Sequence, residues 1–143
     1  MLSFAAKKKG EMMPRNISFA MTTPQFIDGS KDVTRRFAWW KLKPGDILMA
    51  VEKGMGLQKG EKIKRLGLIE IISVKKEPLN QMAIDREYGL EEMRREGYPF
   101  GMKDPAEFVR RMAPNGDTAA MVNRIEFRKI SDDGSTPNMF ENQ

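Results

Sequence analysis

The stretch NISFAMTTPQFIDGSKDVTRR, Asn16 to Arg36, carries three local signals in immediate succession. Ile17, Phe19 and Met21 alternate with Ser18 and Ala20, the period-two pattern of a half-buried strand. Thr22-Thr23-Pro24 then offers an N-cap hydroxyl and a proline for a first helical turn, and Gly29 supplies the stop. This predicts a short helix over about Pro24 to Asp28, with Phe26 and Ile27 as its core contacts. The chain leaves that helix through Gly29-Ser30-Lys31-Asp32-Val33-Thr34-Arg35-Arg36, a G-x-K-x-x-T-x-R pattern. Gly29 lets the chain turn. Lys31 and Thr34 are candidates for chemistry, and Arg35 and Arg36 for holding an anion, because a guanidinium presents a planar fork of donors matched to phosphate or carboxylate. A glycine followed by mixed charges is also the composition of an ordinary solvated turn after a helix.

Downstream, Val33 opens a short extended segment. Phe37-Ala38-Trp39-Trp40 then brings both tryptophans of the chain close to Lys31, Arg35, Arg36, Lys41, Lys43 and Lys53. Aromatic rings interleaved with cations can stack on unpaired bases while the charges hold phosphates. Tryptophan is equally a large apolar side chain, and one of the pair is expected in the core. The turn Lys43-Pro44-Gly45-Asp46 launches a strand from Ile47 to Glu52, apolar on both faces, that delivers Glu52 and Lys53 at its end. A glycine-punctuated loop from Gly54 to Gly60 leads into a long strand from Lys62 to Lys76, where Gly67 predicts a bulge or tight bend.

Pro78 ends that strand and a more acidic helical segment follows. Leu90 and Met93 share its apolar face, while Glu91, Glu92, Arg94, Arg95 and Glu96 read as largely solvated up to the stop at Gly97. Asp104 as N-cap and Pro105 at the first helical position start another helix to about Ala113, with Phe108, Val109 and Met112 inward. A final strand runs from Met121 to Ile130, with Ile125 and Phe127 facing in and Arg124, Glu126 and Arg128 facing out. This order predicts an α+β fold, and the short strands with a glycine bend favour a small β-barrel with flanking helices. Residues 1–15 read as a flexible leader in which Met12-Met13 leaves a later start open. Residues 16–130 form the domain, and 131–143 a polar, flexible tail.

A chain of 143 residues with 40% hydrophobic content suits one globular domain. It has neither cysteine nor histidine. Disulfides and thiolate chemistry are thereby excluded, and the commonest metal ligand and the usual general base are missing. A metal would have carboxylates alone, which suit Mg²⁺ or Ca²⁺ better than zinc; no metal or cofactor is expected. The net charge is +5, but residues 1–65 hold 14 Lys/Arg against 6 Asp/Glu whereas residues 66–143 hold 11 against 14. That asymmetry makes a polyanion the natural partner of the first half, with affinity that falls as salt rises. No apolar run approaches the roughly 20 residues that span a bilayer. Lys7, Lys8 and Lys9 follow a short apolar start with no long apolar core behind them. The expectation is a cytoplasmic protein with no membrane partner.

The segments Ile17 to Pro24, Gly29 to Arg36, Leu42-Lys43-Pro44-Gly45-Asp46, Glu96-Gly97-Tyr98-Pro99 and Arg124-Ile125-Glu126-Phe127, in that order, resemble the ASCH domain. This is a PUA-like β-barrel family, and the likeness, over about residues 16 to 130, is greatest to its stand-alone bacterial and phage members. The resemblance implies a basic cleft beside the barrel and recognition of RNA, single-stranded nucleic acid, a nucleotide or a modified nucleoside. Gly29, Lys31, Arg35, Arg36, Trp39, Trp40, Lys43, Glu52, Lys53 and Tyr98 are the candidate binding residues. Some single-domain members are hydrolases, acting on N4-acetylcytidine or on single-stranded RNA. Carried over, the amidohydrolase lysine and threonine fall on Lys31 and Thr34, and its glutamate on Glu87 or Glu92. For such chemistry a base must take the threonine proton, and a lysine can do so only if burial or nearby cations lower its pKa from about 10.4. On a regular strand two residues three apart face opposite ways, so Lys31 and Thr34 converge only if the backbone turns. The Trp39-Trp40 pair, the basic loop from Gly54 to Arg65 and the Glu96 to Pro99 turn depart from the compact amidohydrolases. Three functions follow: a nucleic-acid or nucleotide-binding module, a small hydrolase, and an adaptor whose basic face meets an acidic protein.

Overall fold

The computed structural model describes residues 14–54, 56–98 and 102–131. The expected leader and tail fall almost wholly outside that range. Along the chain run β1 (Asn16–Ser18), α1 (Thr23–Asp28), β2 (Val33–Arg36), β3 (Ile47–Val51), β4 (Arg65–Pro78), α2 (Gln81–Ile84), α3 (Arg86–Glu96), α4 (Pro105–Met112) and β5 (Met121–Lys129). One sheet gathers the strands in the order β1-β3-β4-β5-β2, with β1 parallel to β3 and the other pairs antiparallel.

The class is α+β, as the element order predicts. The expected barrel is not closed: β1 and β2 remain the two edges of an open sheet. β1 is only three residues long because the chain turns away after Ser18, so it offers no ladder for β2 to join. One side chain spans the gap instead, Arg36 donating through Nη2 to the Ser18 carbonyl at 2.6 Å. The early turn also leaves Met21, an inward residue of the alternating pattern, exposed. At α1 the Thr22 side chain makes no cap bond; the Thr23 hydroxyl donates to the Phe19 carbonyl at 2.8 Å.

The bend foreseen at Gly67 is a bulge. Ala50 pairs with Gly67 but Val51 with Arg65, so Leu66 is the extra residue. A Cβ on Gly67 would stand 2.3 Å from the Ser131 carbonyl oxygen, which is why no other side chain fits there.

The sheet has an apolar layer on each face. On one, Ile17, Leu48, Ile71, Ile125 and Phe127 pack with Phe19 and Phe26, whose rings stack with centroids 5.3 Å apart. Phe19 also stacks on Phe127 at 5.4 Å. Each phenylalanine buried this completely contributes roughly 1.5–3 kcal/mol. On the other face, Leu79 and Val122 meet Met82, Met93, Phe108 and Val109 from α2, α3 and α4. α4 is capped as expected, Asp104 accepting from Ala106 N at 2.9 Å ahead of Pro105.

Several sequence expectations are corrected by how α3 lies. Glu92 and Glu96 are buried rather than solvated, and Leu90 is 40% exposed. Arg124 and Glu126 do not face solvent freely, since both are ion-paired to α3. Registers Arg35↔Arg124 and Arg124↔Lys75 set three cations in one row across β2, β5 and β4. The carboxylates of α3 settle on that row, because a buried charge needs an opposite charge beside it. Ile27, read as a core contact, is exposed, leaving Phe26 as the anchor of α1.

Candidate functional site

α1 stops at Gly29, in the left-handed region at φ 86°. Lys31 N then donates to the Gln25 carbonyl at 3.1 Å, and Asp32 N to the Arg95 carbonyl at 3.0 Å, so the motif is clamped between α1 and the end of α3. β2 begins only at Val33. Lys31 therefore precedes the strand, and its alternation does not separate Lys31 from Thr34. Both line one cleft of about 360 Å³, with Arg35, Arg36, Glu96 and Tyr98. The cleft lies where the two sheet edges face each other, beside the ends of α3 and α4.

Lys31 is buried and donates through Nζ to two backbone carbonyls, Val33 at 2.8 Å and Glu96 at 2.7 Å. The Glu96 carboxylate stands 3.6 Å away, and the Phe19 and Tyr98 rings lie 5.2 and 6.0 Å from the amine. Burial brings the Lys31 pKa down to about 8, against the opposing pull of Glu96. A neutral amine has two N–H groups. With both given to carbonyls, its lone pair is left to point elsewhere.

Thr34 is buried and its hydroxyl oxygen accepts from Arg36 Nε at 3.0 Å. That bond directs the hydroxyl proton away from the arginine and sets a cation beside the oxygen. Burial lowers the Arg36 pKa, yet a guanidinium stays charged. Its carbon sits 5.4 Å from the Phe19 ring. Nη1 makes no hydrogen bond among the described residues, while Nε and Nη2 are committed.

Arg35 is differently placed. Its side chain is fully buried and ringed by three glutamates: Nη2 to Glu77 at 2.9 Å and Glu92 at 2.6 Å, and Nη1 to Glu96 at 3.1 Å. Tyr88 closes the ring, within 3.0 Å of Nη2 and donating to Glu77 at 2.8 Å. Burial alone would lower the Arg35 pKa, but Glu96 and Glu92 overcome it and raise it. Burial and the bond to Glu77 push Tyr88 up to about 12. Glu92 is shared with Arg124, whose Nε donates at 2.6 Å. Arg35 thus supports the cleft from behind through Glu96: its Nη1 and Nη2 are committed to protein, while its buried Nε has no hydrogen-bond partner among the described residues.

The remaining candidates divide by position. Tyr98 lines the cleft. Gly29 sets the turn without lining it. Trp39 packs partly buried on the core in a left-handed backbone turn, its carbonyl accepting from Asn123 at 2.8 Å, and Arg15 stacks on its ring at 4.6 Å. Trp40 is the exposed member, with Lys76 at 5.4 Å from its ring. Lys43 is exposed and paired with Asp46 at 3.8 Å; Lys53 pairs with Glu61 at 3.8 Å, and Glu52 follows β3. Trp39, Trp40, Lys43, Glu52 and Lys53 do not line the cleft. Neither does Glu92, which is committed to Arg35 and Arg124, nor Glu87, exposed in the first turn of α3.

The glutamate that reaches the cleft is Glu96, which the sequence reading placed in solvent. Tyr88, Glu92 and Glu96 recur at spacing four, one face of a helix. Such a polar stripe opposite a double arginine was the signal available for finding it. Among the described residues no group of three or more acidic side chains could hold a metal ion, and no helix is long and apolar enough to cross a membrane.

No family model and no curated protein matches this chain. Among solved structures it is similar to protein EF3133 from Enterococcus faecalis V583, described by the family model DUF984. The TM-score is 0.53 and the identity 14%, over 88% of this chain and 86% of that one. At that identity the likeness is one of fold.

Proposed function

We propose that this protein is an RNA- or nucleotide-binding domain of the ASCH, PUA-like type, with its ligand in the cleft between the two sheet edges. The observation that carries the reading is the pairing of Arg36 and Lys31 with aromatic walls, Phe19, Phe37 and Tyr98, in one cleft of about 360 Å³. That volume falls within the usual range for a small-molecule site. The arrangement gives a base apolar surface and its phosphate a cation. Titration with ribonucleoside 5′-monophosphates and a labelled single-stranded RNA tests it. Binding is expected at low salt, weakened by added salt and by Arg36→Ala about tenfold or more. Absence of binding at low salt for the whole panel would refute the reading.

A second reading rests on Lys31. An amine with a pKa of about 8 that lines the same cleft as Thr34 could take the Thr34 proton through a bridging water, since no direct hydrogen bond joins the two side chains. The Thr34 oxygen could then attack an acyl carbon, as in hydrolysis of an N4-acetylated cytidine. The bond between acyl carbon and nitrogen breaks, the proton from Lys31 passes to the leaving amine, and water releases the acyl group from Thr34. Acetate release from N4-acetylcytidine that disappears in both Lys31→Ala and Thr34→Ala would support this reading, and unchanged rates in both would reject it.

A further inference from the structure

A second cleft, of about 310 Å³, borders the first and shares Tyr98 with it. Its apolar walls are Leu90, Met93 and Met102; its cations are Arg94 and Lys103, and among the described residues no carboxylate lines it. Glu91 holds Arg94 in place through Nε at 3.1 Å and Nη2 at 2.6 Å. At Gly97, which lines the second cleft, α3 ends in the left-handed region at φ 85°, with Gln25 so close that a Cβ on Gly97 would lie 2.9 Å from the Gln25 Cβ. Tyr98 is braced there by Phe108, edge-on with centroids 5.5 Å apart. Tyr98 lines both clefts and cations line each, Lys31 and Arg36 in the first and Arg94 and Lys103 in the second, so the same chemistry is repeated: an apolar slot and a partner for phosphate.

We propose that the two clefts are consecutive subsites for one single strand of RNA, with Tyr98 between the two bases, so that the ligand is a strand of two nucleotides or more. This rests on the nucleic-acid reading of the first cleft and extends it. A ring between bases is sequence-tolerant, because every base has a face to stack, and one added stacked base is worth about tenfold or more in affinity.

Calorimetric titration of the whole chain with ribonucleoside 5′-monophosphates and the matching 5′-phosphorylated homodinucleotides tests the extension. The dinucleotide should bind about tenfold or more tightly than the mononucleotide. In the double variant Arg94→Glu, Lys103→Glu that advantage should vanish while mononucleotide affinity stays unchanged. Both side chains are on the surface, so the fold is retained, and Leu90→Asp, at a partly exposed position, should act in the same direction. Equal affinity for mono- and dinucleotide, or an advantage that survives all these substitutions, overturns the second subsite and leaves the first standing. Failure of both ligands to bind the unaltered chain overturns the nucleic-acid reading and the extension together.

Discussion

At Lys31 the cost of burial can be read against pH. Its pKa is about 8 in the folded chain against 10.5 in the open one. Between those values the unfolded chain holds a proton that the folded chain has released, so this group makes stability rise with pH. Below about pH 8 both states are protonated and the full penalty, about 3 kcal/mol, applies. Above pH 10.5 it is gone. Thermal unfolding of the natural chain and of Lys31→Met at pH 7 and pH 10 should therefore show the natural chain gaining on the variant in alkali. A difference that does not change with pH would mean that Lys31 keeps an ordinary pKa. The sequence made Lys31, Thr34 and Arg36 visible because a glycine stop and a hydroxyl are local signals. It hid the role of Glu96, because a glutamate on a charged helix looks solvated until the surface it packs against is known.

Among the elements, α3 turns on two features, a stripe of charge and a glycine. Arg35 balances the carboxylates that α3 and β4 bring to it, and removing one partner of a buried ion pair leaves the other uncompensated. Arg35→Met should destabilise by about 3–5 kcal/mol at neutral pH, measured by urea denaturation. The deficit should shrink in acid. Burial would raise the Glu92 pKa, but Arg124 and Arg35 hold it below its ordinary 4.5. Its ionised form thus contributes stability above that pH and loses it as pH falls, so the natural chain forfeits in acid what the variant already lacks. Gly89 is the close-approach position. A Cβ there would lie 2.0 Å from the Met82 carbonyl oxygen and 2.6 Å from the Pro105 Cβ. Gly89→Ala should cost about 1–3 kcal/mol and loosen α3 against α2 and α4, read as a lowered denaturation midpoint. Strand alternation, caps and glycine stops made most elements legible. The short α2 was absorbed into one helical segment, because no stop signal as strong as Gly or Pro separates Ile84 from Arg86.

For the molecule as a whole, the class was legible and the closure of the barrel was not. Periodicity reports which side of a strand is buried, but not whether the first and last strands of a sheet meet. Here they do not, and the join is left to the Arg36 side chain on the Ser18 carbonyl. A ladder of backbone bonds opens only as a unit, whereas a single side-chain bond can open by itself. Between β1 and β2 no other hydrogen bond among the described residues backs that one up; the packing of Phe19 on Phe26 and Phe127 carries the rest of the seam, and the residue that bonds across it is the same one offered to an anion. Nη2 holds Ser18 and Nε holds Thr34, which leaves Nη1 for a ligand phosphate, so an anion in the cleft fixes the guanidinium in place and tightens the seam. Amide exchange at Ile17 to Phe19 should quicken in Arg36→Ala and slow on saturation with a 5′-mononucleotide, while β4 and β5 keep their protection.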